Sequence, residues 1–169
     1  MYEGSDYYYY MPIIFSTDEI LLYRAEAYAL KKNYTQAAFD ITTWQKAYTN
    51  NKATLTPEKI NAYYEEMPYY TPLKSLTPKK ELHPDFTIEK GMQENIIQCI
   101  LHMRRIATLH EGIRWPDIKR YGIVIYRRLV SDGYMTITDE MPANDLRRAI
   151  QIPRSVILAG MQPNPRTNE

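Results

Sequence analysis

The sequence predicts a mainly α-helical chain with one small β-hairpin and long irregular loops. Three observations carry that prediction. Polar caps precede runs whose apolar residues recur at three and four, the spacing that buries one helical face. β-forming residues concentrate between Gly122 and Thr138, divided by the turn signal Ser131-Asp132-Gly133. Four prolines (Pro68, Pro72, Pro78, Pro84) interrupt residues 67–86. At 169 residues the chain suffices for one domain with its own core, and residues 1–169 read as a single domain.

In order, residues 1–11 lack pattern. Tyr7 to Tyr10 read as an extended edge or tail, and Pro12 leads Ile13-Ile14-Phe15 toward a helix start. Ser16 and Glu19 form a capping box, and a helix follows to about Lys32. Its inner face is Leu21, Leu22, Ala25, Tyr28 and Ala29. Lys31-Lys32-Asn33 closes it, cations at the negative end of the dipole. Thr35 is placed to cap a second helix over about 36–48, with Ala37, Ala38, Ile41, Trp44 and Ala47/Tyr48 inward. Ala25 and Ala37 let the two helices approach closely. The pair has tetratricopeptide-like spacing, and a lone repeat cannot bury its own face.

Thr56-Pro57-Glu58 opens a third helix, ending near Glu66. Beyond it the prolines order a long loop, with Tyr63, Tyr64, Tyr69 and Tyr70 at its entrance. Long irregular loops are often functional, so these four tyrosines are the candidate ligand contacts. The plainer reading is a wrap across the domain. A fourth helix spans about Met92 to His110, striped by Met92, Ile96, Ile100, Met103 and Ala107. Strands over Gly122–Val130 and Tyr134–Thr138 form a ribbon that is marginal alone and is expected to pack on the helices. Pro142–Arg148 reads as a short turn or helix, Ala149–Pro153 as extended, Arg154–Ala159 as a helical turn ended by Gly160, and Gln162–Arg166 as a strap.

Net charge is +1, which leaves no global field for nucleic acid. Tyrosine is the outlier, 16 residues against three Phe, and offers a flat apolar face with a polar tip. The single cysteine, Cys99, excludes an internal disulfide and reads as a small buried hydrophobe. No run reaches the roughly 18 apolar residues of a membrane-spanning helix.

The densest chemistry lies between His110 and Gly122. Gly112 suits a helix end and Pro116 a first helical position. Glu111 and Arg114, and Asp117 and Arg120, are charged pairs three apart with Trp115 between them. Glu111, Arg114, Trp115, Asp117 and Arg120 therefore read as a structural corner. An active site on His110, Glu111 and Asp117 is the rival, and it lacks a supporting nucleophile or metal ligand.

The corner resembles the EG-x-RW-x-D-x-KR-x-G segment of the SusD/RagB family of outer-membrane nutrient-binding lipoproteins. Three more blocks resemble it in order. They are Leu22-Tyr23-Arg24-Ala25-Glu26-Ala27-Tyr28; Ala149-Ile150-Gln151-Ile152-Pro153; and Ala159-Gly160 with Asn164-Pro165-Arg166. The helix leading into the corner, with Arg104-Arg105, belongs with them. Met103 and Ala107 stand where that helix usually carries acids, and Pro116 replaces an aromatic. The resemblance implies the C-terminal part of such a protein, mostly helical and built on tetratricopeptide-like units. The N-terminal part, with signal peptide and lipid-bearing cysteine, lies outside the chain. It further implies a cell-surface module that captures a glycan or peptide and works with a SusC-like TonB-dependent outer-membrane transporter, with no cofactor, no metal and no catalytic residue. The residues agree: tyrosines are plentiful, and Glu65-Glu66 point apart instead of forming a carboxylate dyad. Two other readings stand beside it, an intracellular tetratricopeptide-like adaptor and a hydrolase using His110 and Glu111.

Overall fold

The computed structural model describes residues 16–109 and 111–166. The readings made for Tyr7–Tyr10, for Pro12–Phe15 and for His110 lie outside them. The element order is α1 (Thr17–Leu30), α2 (Tyr34–Tyr48), α3 (Pro57–Glu66), α4 (Met92–Ala107), α5 (Arg114–Arg120), β1 (Ile125–Ser131), β2 (Tyr134–Met141), a 3-10 turn (Leu146–Arg148) and α6 (Arg154–Leu158). The chain is mainly helical, with one two-stranded antiparallel sheet among the described residues.

The core forms around α4, which packs on α1, α2, α3 and α5. Every residue from Gln93 to Leu101 is buried, so this helix is enclosed instead of showing one apolar stripe. Met103 and Ala107, expected in the stripe, are only partly covered. A buried amide needs a partner, and each one here ties down another segment. The Gln93 amide donates to the Ala29 carbonyl at 3.1 Å, fastening the end of α1. The Asn95 amide donates to Asn61 of α3 at 2.9 Å. Gln98 accepts from the Lys80 backbone N–H at 3.1 Å and donates to its carbonyl, fixing the proline loop.

α1 begins as the capping box requires, the Ser16 hydroxyl accepting from the Glu19 N–H at 3.4 Å. Residues two apart on a helix face nearly opposite ways. Arg24 grips Asp40 of α2 through two bonds of 2.8 Å, while Glu26 meets Arg104 of α4. α1 is thus clamped from both sides, with Leu22, Ala25 and Ala29 fully buried against Ala37 and Ile41.

Several expectations need correcting. Asn33, not Thr35, caps α2, accepting from the Gln36 N–H at 3.4 Å. Lys32 has turned left-handed (φ 61°), so the chain reaches a capping side chain two residues earlier. Ala47 and Tyr48 face solvent, and Tyr48 lies flat on buried Trp44 with centroids 4.6 Å apart. α4 stops at Ala107, where the Thr108 hydroxyl and N–H both take the Arg104 carbonyl. α5 starts at Arg114, which makes Pro116 its third residue; its missing N–H is still among those without a helical partner. The ribbon starts at Ile125 instead of Gly122 and extends to Met141. Asp132 (φ 51°) and Gly133 (φ 81°) make its turn in the left-handed region a tight hairpin favours. The ribbon does not lie on the helices: β1 and β2 are exposed for most of their length. Its base is held. Arg148 reaches the carbonyls of Ile118 (2.9 Å), Ile123 (2.6 Å) and Pro142 (2.7 Å).

The C-terminal strap is non-helical, as expected, and folds back on Gln151. The Asn164 N–H donates to the Gln151 side chain at 2.8 Å, and the Gln151 amide returns a bond to the Asn164 carbonyl at 3.1 Å.

Candidate functional site

Within the proline loop the Tyr70 N–H donates to the Lys79 carbonyl at 2.8 Å, setting residues 69–70 beside 79–80. Neighbouring side chains of an extended segment point to opposite sides, and the two lysines part accordingly. Lys79 is 4% exposed. Its ammonium donates to the Tyr64 carbonyl at 2.6 Å, one of the α3 carbonyls left without a helical partner, and lies 4.6 Å from the Tyr69 ring centroid. Lys80 turns the other way, its Nζ 3.1 Å from the Tyr70 ring centroid.

On the Lys79 side the C-terminus of α3, the N-terminus of α4 and the loop enclose a cleft of about 320 Å³. Glu65, Tyr69, Lys79, Lys90, Glu94 and Asn95 line it. The Tyr69 hydroxyl donates to Glu94 at 2.9 Å, and the Lys90 ammonium to the same oxygen at 3.1 Å. Burial, followed by the Glu94 bond, pushes the Tyr69 hydroxyl above its ordinary pKa, which keeps it a neutral donor. The Asn95 amide donates to Glu65 at 2.6 Å. Amide, carboxylate, ammonium and phenol thus converge on a space at the lower end of ligand-pocket size, about 300 Å³. Such groups can exchange hydrogen bonds with hydroxyls or amides of a ligand.

The four tyrosines do not share one platform. Tyr69 lines the cleft, with Lys79 and Lys90 over its ring. Tyr70 is covered by Lys80 and leans on Tyr126 at 6.2 Å between centroids. Tyr63 is 61% exposed and meets Tyr64 edge-on. Tyr64 cannot contact a ligand: it is 4% exposed, and its hydroxyl bonds His102 Nδ1 at 3.0 Å. One residue along a helix turns the side chain by about 100°, so adjacent tyrosines divide between solvent and core. The residues that sequence reasoning missed are Lys79, Lys90, Glu94 and Asn95. A charged or amide residue flanked by an apolar run, as Glu94 and Asn95 precede Ile96-Ile97, was the available signal.

No family model, curated protein or solved structure matches the chain.

The corner is built differently from the pairing its spacing implied. Arg104, 5% exposed, joins Glu26 of α1 to Asp117 of α5, the latter at 2.8 Å. Arg114 pairs with Asp117 at 3.2 Å and not with Glu111, which is exposed and without an ion pair among the described residues. Arg120 pairs with Glu26 at 3.0 Å instead of with Asp117. The buried Tyr121 hydroxyl also donates to Glu26. Trp115 is partly covered. Burial works against ionising Glu26, but Arg104 and its hydrogen-bonding neighbours outweigh it and hold the carboxyl below its usual range. Tyr121 is pushed up, first by burial and then by Glu26. Arg104, Glu26 and Asp117 are buried, Arg120 is half exposed, and Arg104 and Asp117 border a small cavity beside Tyr23 and Ile113.

Burial pushes the Cys99 thiol up to about 12. Among the described residues no group of three His, Cys, Asp or Glu could hold a metal, and no helix is long and apolar enough to cross a membrane.

Proposed function

We propose that the chain is the C-terminal part of a SusD/RagB-type cell-surface protein. In this reading it captures a glycan or peptide without catalysis and hands it to a TonB-dependent outer-membrane transporter. One observation carries the reading. Blocks that resemble the family in sequence, though far apart in the chain, meet one another in space. Glu26 of the first block, Arg104 of the helix before the corner, and Arg114, Asp117 and Arg120 of the corner form one ion-pair network, buried at Glu26, Arg104 and Asp117. Gln151 and Asn164, from the last two blocks, bond each other. Sequence segments joined this way act as one scaffold. The ligand would sit in the cleft lined by Tyr69, Glu94 and Asn95, whose polar groups suit hydroxyls and amides.

Calorimetric titration of the protein against a panel of oligosaccharides and short peptides tests this. Binding to at least one member is expected, weakened in Tyr69→Ala and Lys90→Ala variants that melt like the wild type. Co-purification with a TonB-dependent transporter from detergent-solubilised outer membranes is expected too. A panel silent throughout, with no transporter retained, would overturn the reading.

A further inference from the structure

On the opposite side of the loop from the cleft, cations outnumber their counter-charges. Lys80 lies over Tyr70, and the Arg128 guanidinium stands 6.0 Å from the same ring centroid. Arg105 and Arg114 press on Lys80 from α4 and α5. Among the described residues no carboxylate pairs with Lys80, Arg105 or Arg128; the only acid engaged is Asp117 on Arg114, and it is shared with Arg104. Glu81, next along the loop, reaches His83 at 3.9 Å, and with Glu140 it acts on Tyr126. His102, on the same face of α4, is held below its ordinary pKa by burial and then by Arg105 and Arg114.

The cluster is built. Lys80 is fixed at its backbone by Gln98, its ammonium is tied to the Thr77 carbonyl at 3.2 Å, and Arg128 reaches the Pro72 carbonyl at 3.5 Å. Arg105 and Arg128 are exposed, so the site opens to solvent. Like charges held together repel unless an anion lies between them. Guanidinium forks match the oxygens of carboxylate, sulfate and phosphate groups.

We infer that Lys80, Arg105, Arg114 and Arg128 form a site for the anionic group of an acidic saccharide, a uronate carboxylate or a sulfate ester. The saccharide part of this inference rests on the nutrient-capture reading; the anion part does not. Tyr70 and Tyr126 border the site and supply apolar faces for a sugar ring beside the bound anion.

The test uses the whole protein, with Lys80 followed by NMR after reductive ¹³C-methylation and assigned by Lys80→Gln. Inorganic sulfate, trigalacturonate and the carboxyl-reduced neutral trisaccharide are titrated separately. Sulfate and trigalacturonate are expected to shift the Lys80 signal saturably and to raise its pKa. Trigalacturonate should bind about tenfold or more tightly than its neutral counterpart, and Arg105→Gln/Arg128→Gln should remove that advantage. Both substitutions are on exposed side chains, and unchanged melting verifies the fold. Sulfate binding without any saccharide binding would keep the anion site and refute the saccharide assignment. Equal binding of the acidic and neutral trisaccharides, with no response to sulfate, would overturn the anion site and leave the capture reading standing.

Discussion

Replacing Arg104 with methionine asks how much the corner depends on one buried guanidinium. The side chains of Arg104, Glu26 and Asp117 are 6%, 7% and 8% exposed. Arg104→Met keeps the bulk and removes one cationic partner from each of two buried carboxylates. Breaking a buried pair from one side costs about 3–5 kcal/mol. Arg120 still holds Glu26 and Arg114 still holds Asp117, so the loss belongs at the lower end, about 3 kcal/mol. For a chain of this size that lowers the melting temperature by roughly 6–12 °C. The pH dependence makes the test sharper. In the wild type the folded pKa of Glu26 lies below its ordinary value of 4.5. Its contribution is therefore present above 4.5 and fades as pH falls through the lower folded value. Without Arg104, burial, which opposes ionisation, loses its main opponent, and the folded pKa of Glu26 rises. The variant is then penalised most where Glu26 must ionise. Urea denaturation of both proteins between about pH 4 and pH 8 should show a gap widest at neutral pH and narrower in acid. A gap below about 1 kcal/mol, the level of an exposed pair, would refute the buried network. So would a gap that stays constant with pH.

Gly122→Ala should cost about 2–4 kcal/mol, because φ is +57° and a Cβ would lie 2.1 Å from the His83 carbonyl oxygen. Gly133→Ala, with open space around it, should cost only about 1 kcal/mol, and thermal melts compare the two. Cys99 should resist thiol reagents in the native protein and react at once in denaturant, its thiol being buried with a pKa of about 12. Lys80, lowered to about 7 first by burial and then by Arg105, Arg114 and Arg128, should acetylate ahead of the other lysines near neutral pH. Because the unfolded chain binds that proton more tightly, stability should climb as pH rises from about 7 toward 9, and Lys80→Gln should flatten the climb.

The helices were legible because their signals are local. Ser16 and Thr56 cap where their hydroxyls said they would, and the Asp132-Gly133 turn fixes the ribbon. What escaped depends on partners remote in sequence. The Arg104–Glu26 contact spans 78 residues, so i,i+3 reasoning at the corner chose the wrong partners for Arg114 and Arg120. Tyr64 and Lys79, 15 residues apart, are both buried because the loop returns to close the end of α3. Period-3.6 analysis also misjudged α4, since a helix surrounded by others buries polar residues that an amphipathic template assigns to solvent.

α4 carries both the corner and the cleft, yet its two ends differ in kind. At Arg104 the guanidinium engages both Glu26 and Asp117, although its Nε–H is buried without a partner among the described residues. At Glu94 and Asn95 the pairing is looser and opens on a cavity: Lys79 spends one of its three donors on the Tyr64 carbonyl while lining the cleft. A polar group with bonding capacity left over beside an open space is where a ligand gains more than water loses. On the proposed capture reading, the charge-paired corner is scaffold and the cleft beside Glu94 and Asn95 is the place of recognition. Loss of stability should thus follow substitutions at Arg104, and loss of binding substitutions at Tyr69 and Lys90.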